Sequence, residues 1–160
     1  MRSKIVVVGS LNVDQIAYCS RLPLAGETVF GEKYETGLGG KGANQAAQAA
    51  LLSAPGEVVL VGAVGNDQNG SWYLEEIRKT GVDCSKIKTK ESSTGVAPIL
   101  VSTQNGENSI VVVPGANMLF TKEDLEISYF EGTKIVVCQN EIPIETTRRA
   151  LELAKEAGAQ

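Results

Sequence analysis

Three short polar segments carry the residue types that could do chemistry in this chain. They are Gly9-Ser10-Leu11-Asn12-Val13-Asp14 behind an apolar run, Gly39-Gly40-Lys41-Gly42-Ala43-Asn44 heading an alanine-rich stretch, and Glu141 behind a later apolar run. Asn12 and Asp14 stand two apart, so in extended backbone their side chains face the same way. An ionised Asp14 can accept from two neighbouring hydroxyls, and Asn12 can both donate and accept, which suits a vicinal diol. An ordinary turn, with Asp14 bonded to nearby backbone, is the other reading. Adjacent glycines let a ligand approach the backbone, and the start of the helix behind them offers unpaired N–H groups; a plain glycine turn reads the same way. Asn44 falls in the first turn of that helix, where its helix propensity is poor and a ligand contact is one reason for its presence. Glu141 stays open between a hydroxyl acceptor and a solvated or capping carboxylate. Asp67, ahead of a helix, reads first as a cap. Carboxylates, amides, one ammonium and backbone N–H groups together describe a site for a small polyhydroxylated ligand.

Several other chemistries are excluded. Gly37-Leu38-Gly39-Gly40-Lys41-Gly42 matches the G-x-G-x-x-G string, but the first strand leads to Asn12 and not into this loop, so the dinucleotide fingerprint lacks its context. Lys41 is followed by Gly42 where a P-loop needs Ser or Thr. The chain contains no histidine, which removes a Ser-His-Asp triad, a Cys-His pair and any histidine-ligated metal.

These residues need strand ends and a helix start to hold them. Residues 5–8, 58–64 and 135–138 are continuous apolar runs, as in parallel strands covered on both faces. Helices are expected over 41–52 and 71–80, the latter stopped by Gly81, and from Pro143 to Gly158. Thr121 and Asp124 can cap a short helix. Residues 15–18 and 28–36 alternate apolar with polar, and 96–102 and 109–113 flank an Asn105-Gly106 hairpin turn, which together suggest a smaller second sheet able to act as a lid. Pro98 marks its strand as an edge or a bulge. The expected fold class is therefore α/β: a doubly wound, mainly parallel sheet flanked by helices, with a small β-sheet lid formed by strands from about 14–38 and 96–113.

A chain of 160 residues with 42% apolar composition can build one ordinary domain. A net charge of −4 without a basic block argues against a nucleic-acid partner, and no apolar stretch approaches the ~20 residues that span a bilayer. Only four apolar residues follow Met1-Arg2-Ser3-Lys4, too few for a signal-peptide core, and Cys19, Cys84 and Cys138 form no C-x-x-C pair; both point to the cytoplasm. After Gly158 an α/β pattern calls for another strand, so the sequence reads as the front part of a longer fold.

With N-x-D beyond the first strand, Gly39-Gly40-Lys41-Gly42-Ala43-Asn44, Gly65-x-Asp67, Thr94-Gly95-Val96-Ala97, Gly115-Ala116-Asn117 and Glu141 in this order, the chain resembles the PfkB-type carbohydrate kinases, and among them the ribokinases. Residues 53–57 form a slightly longer connection than that family usually has. The resemblance implies that Asn12 and Asp14 hold ribose hydroxyls, that Gly40, Lys41, Gly42, Ala43 and Asn44 grip the sugar from the helix start, and that Glu141 takes another hydroxyl. Ala97, Ile99 and Val112 would form an apolar wall. It implies phosphorylation of D-ribose at the 5-hydroxyl by ATP with Mg2+, K+ as activator, and a homodimer formed through the β lid. It places the catalytic base, an aspartate in a Gly-Ala-Gly-Asp segment, and the nucleotide pocket outside this sequence. Related readings are a fructokinase or an adenosine kinase-like enzyme, or a non-catalytic sugar-binding or dimerisation module.

Overall fold

The computed structural model describes residues 5–159; the reading of the first four residues lies outside them. Strands β1 (Ile5–Val8), β2 (Asn12–Cys19) and β3 (Gly31–Gly39) precede helix α1 (Lys41–Leu51), then β4 (Val58–Gly65) and α2 (Gln68–Arg78). Strands β5 (Asp83–Lys90), β6 (Gly95–Ser102) and β7 (Asn108–Ile110) lead through three 3₁₀ turns to β8 (Ile135–Cys138) and α3 (Ile144–Glu156). They form two four-stranded sheets, ordered β5-β4-β1-β8 and β3-β2-β6-β7.

The first sheet is parallel throughout. In β1 and β4 the two-residue period divides the apolar run between two cores. Val7, Val58, Leu60 and Val64 pack with Ala43 and Ala46 of α1 and Tyr73 and Ile77 of α2. Val6, Val8, Val59, Val61 and Ala63 pack on the opposite face with Phe120, Phe130 and the α3 residues Ala150, Leu153 and Ala154. Helical cover on both faces is what an unbroken apolar strand requires. The α/β architecture with a second β sheet thus matches the expected fold class.

Several boundaries differ from those expected. Strand β5 is absent from the sequence reading because Lys86, Lys88 and Lys90 replace the apolar run; it is an edge strand, where such charges block further pairing. Strand β8 is also an edge among the described strands and only partly buried, with Val136 and Cys138 packed on one core and Val137 on the other. Helix α2 begins at Gln68, a turn earlier than 71, because Asp67 caps it through Gly70 N–H. Strand β3 begins at Gly31 and not at 28.

Pro98 does not mark an edge, since β6 lies between β2 and β7. Val96 and Val113 exchange both backbone hydrogen bonds, Val111 N–H donates to Pro98 O, and Pro98 has no N–H to return. The ladder loses one bond there and resumes beyond it.

Candidate functional site

Strand β1 ends at Val8, and the chain then crosses through Gly9-Ser10-Leu11 into β2 of the second sheet. Asn12 and Asp14 therefore open β2 on one face, beside the start of α1 and the residues that follow β8. The register sets Asp14 beside Ala97, Ile16 beside Ile99, and Ile99 beside Ile110. The resulting cleft of about 160 Å³ lies between the two sheets. It is lined by Asn12, Asp14, Gly40, Lys41 and Asn44 with Glu141, and on the lid side by Ala97, Ile99, Ile110 and Val112. Clefts for drug-sized ligands hold ~300–1,000 Å³, so this one suits a smaller molecule.

The loop before α1 turns at Gly40, whose φ of +88° favours glycine. Gly39 leaves room for a functional group: a Cβ there would stand 2.0 Å from Asp14 Oδ1. The first turn of α1 does not present the open N–H groups expected of it. Lys41 N–H donates to Glu141 Oε2, Gly42 N–H to Ser10 Oγ, and Ala43 N–H to Ser10 O. Gly42 and Ala43 are buried and lie outside the cleft lining. Their place in the motif is a packing one, since a Cβ on Gly42 would come within 2.6 Å of the Gly9 carbonyl carbon.

Glu141 joins three segments. Its Oε2 accepts from Ser10 Oγ at 2.7 Å and Lys41 N at 3.0 Å, and its Oε1 is bonded to Lys41 Nζ. Burial pushes its carboxyl up, but the hydrogen bonds from Lys41 and Ser10 outweigh burial and hold it below the ordinary value. Asp14 is the opposite case. Its carboxylate has no hydrogen bond or ion pair among the described residues, and burial first, then the Glu141 charge, raise it above the ordinary value. Asn44 is exposed at the rim with its side-chain amide unpaired among the described residues.

Nine of the eleven expected site residues thus meet at one cleft, counting the ten lining residues less Ile110. Ile110 was legible, because it stands two before Val112 and so faces the same side. Ser10 and Asn117, which hold Glu141 and Asn12 in place, carried no local signal beyond their positions in motifs.

A family model described as pfkB family carbohydrate kinase matches residues 2–160. The chain belongs to the pfkB family of carbohydrate kinases. Within it, the chain is 39% identical over 159 residues to a ribokinase of Mus musculus, covering 98% of this chain and 48% of that protein. It is 35% identical over 159 residues to a deoxyribokinase of Salmonella typhi, covering 98% of this chain and 51% of that protein. The structure of Arabidopsis thaliana ribokinase complexed with ribose and ATP superimposes with a TM-score of 0.85 at 34% identity, over 99% of this chain and 52% of that one. The chain spans about half the length of the relatives it matches. No three His, Cys, Asp or Glu side chains gather to hold a metal ion among the described residues. No helix there is long and apolar enough to cross a membrane.

Proposed function

We propose that this chain is the sugar-binding part of a cytoplasmic ribokinase, which transfers the γ-phosphoryl group of ATP to the 5-hydroxyl of D-ribose. The observation that carries the reading is the unpaired Asp14 carboxylate, turned into a small cleft whose other carboxylate is already saturated. Two carboxylate oxygens with no protein donor are matched by the protons of two adjacent hydroxyls. Asn12 and Asn44 supply amides to further oxygens, while Lys41 and Glu141 hold the helix start against the end of β1. Ala97, Ile99, Ile110 and Val112 cover an apolar face of the ring. Relatives named ribokinase and the ribose-bound structural neighbour support the choice of sugar.

Phosphoryl transfer rests on positioning and on stabilising charge around the γ-phosphate. In this reading the chain contributes the first, by fixing the sugar ring, and Asp14 is a ligand of the diol and not the base. The catalytic base, ATP, Mg2+ and K+ belong to other parts of the polypeptide. The reading includes a homodimer through the β lid, supported by the exposed Tyr34 and Val111 on the face of that sheet turned away from the cleft. Three free cysteines agree with a reducing compartment.

Relatives named deoxyribokinase favour 2-deoxyribose as a second substrate reading. Turnover by the complete polypeptide on ribose, 2-deoxyribose, fructose and adenosine decides between these: a preference for ribose supports the proposal, and a preference for another sugar overturns the choice. Asp14→Ala in the same protein is expected to raise the ribose KM roughly 10- to 100-fold, the equivalent of losing hydrogen bonds to a charged group, with the ATP KM unchanged. An equal loss of ATP affinity counts against the assignment.

A further inference from the structure

We propose that Asn117 is a positioning residue that fixes which way round the Asn12 amide stands, so that Asn12 presents an N–H donor to the sugar; this rests on reading the cleft as a sugar site. Asn117 lies in the 3₁₀ turn Gly115–Leu119 and is 1% exposed. Its Oδ1 accepts from Leu11 N at 2.9 Å, and its Nδ2 donates to Leu11 O at 2.9 Å and Pro114 O at 2.9 Å. A backbone N–H can only donate and a carbonyl can only accept, so these three contacts admit one orientation of the Asn117 amide. The same Nδ2 faces Asn12 Oδ1 at 2.8 Å, its two hydrogens being shared among three acceptors. Asn12 must therefore turn its oxygen toward Asn117, which leaves its own Nδ2 as the group free for the cleft that it lines.

The chemical consequence is a defined pair of groups at the start of β2. Asn12 offers a donor, and Asp14, two residues on and on the same face, offers only acceptors while ionised. A hydroxyl can accept from the first and give its proton to the second. With the Asn12 amide reversed, both groups would present acceptors, and a hydroxyl, with one proton, could satisfy only one of them. Gly95 keeps the space for this arrangement, since a Cβ there would stand 2.1 Å from Asn12 Oδ1 and 2.4 Å from Asn117 Nδ2.

The test is steady-state kinetics of the complete polypeptide carrying Asn117→Asp or Asn117→Ala, each in the native background and with Asn12→Ala. Asn117→Asp keeps the acceptor for Leu11 N–H and loses the donors. It is expected to raise the ribose KM about three- to tenfold, the equivalent of one neutral hydrogen bond, and to leave the ATP KM unchanged. With Asn12→Ala present, the same change is expected to raise the ribose KM no further, because Asn117 reaches the sugar only through Asn12. The same factor in both backgrounds overturns the proposal, as does an unchanged ribose KM in a folded Asn117→Asp protein. Should neither Asn117 variant fold, side-chain amide NMR of the unsubstituted protein takes their place. There, Asn117 Nδ2 protons protected from exchange and an Asn12 Nδ2 signal that shifts with ribose support the proposal, and an Asn12 signal indifferent to ribose overturns it. An unsubstituted protein that turns over none of the sugars overturns the sugar-site reading and this inference with it, a result distinct from the failure of the Asn117 variants alone.

Discussion

The two carboxylates of the cleft are held in opposite electrostatic situations, and this predicts opposite pH dependences. Glu141 is depressed because three hydrogen bonds outweigh its burial, so its ionised form stabilises the fold; that contribution is complete above its unfolded value near 4.5 and is lost as pH falls through the lower folded value. Asp14 is raised by burial and by the Glu141 charge, so ionising it costs stability; the cost begins above its unfolded value near 3.8 and is complete once pH exceeds the raised folded value. Denaturant unfolding of the sugar-free protein at a series of pH values should therefore show Asp14→Asn more stable than the native chain at pH 7 and indistinguishable from it near pH 3. Glu141→Gln should be less stable at pH 7, with the deficit closing in acid. A native-like stability for Asp14→Asn at neutral pH would mean that the carboxylate is not strained by its surroundings. The expected result is the usual exchange of stability for function at a binding site, where a group is left unpaired until its ligand arrives.

At the scale of elements, the site depends on how β2, β6 and α2 are tied together. Asp67 caps α2 through Gly70 N–H and also accepts from Thr94 N and Thr94 Oγ, while Thr94 Oγ accepts from Gly65 N–H. Asp67→Ala removes a cap worth ~1 kcal/mol and leaves the buried Thr94 hydroxyl without its acceptor, worth ~1–3 kcal/mol, so a loss of about 2–4 kcal/mol is expected in urea unfolding. A loss below about 0.5 kcal/mol would show that the network carries no stability. One residue on, Gly95→Ala is expected to raise the ribose KM by forcing Asn12 and Asn117 apart, with a smaller effect on ATP, read from the same kinetics. The capping role of Asp67 was legible because a carboxylate ahead of a helix has a local explanation. So were β1, β4 and α1, whose apolar spacing fixes both type and face, and so was the gathering of Asn12, Asp14, Lys41 and Glu141 near strand ends. The partners of Glu141 and Asn12 were not, because Ser10 bonds a residue 131 positions away and Asn117 one 105 away, and nothing in the neighbouring sequence encodes such a meeting. Strand β5 escaped for the reverse reason, its lysines obeying the rules of an edge and not those of a core.

For the molecule as a whole, the cleft sits where the parallel sheet hands the chain to the lid sheet, so a ligand there touches β1's continuation, the start of α1, the end of β8 and the lid strands together. A sugar bound across these segments is present only when all of them are folded, and it must raise the stability of the whole unit by mass action. At a ribose concentration about 100 times its Kd the gain is ~2.7 kcal/mol, which is several degrees in the melting temperature of a protein of this kind. Thermal melts of the complete polypeptide with ribose and without nucleotide should show this rise, because the groups that meet the sugar in this reading all lie in the present chain. Asp14→Asn should start from a higher melting temperature at pH 7 and gain little from ribose, since the variant relieves the unpaired charge and turns one of the two acceptors for the diol into a donor in one step. That crossing of the two proteins, the variant more stable when empty and less stable when the sugar is abundant, separates a sugar ligand from a structural carboxylate. A ribose-induced rise of equal size in both proteins would place the sugar somewhere other than against Asp14.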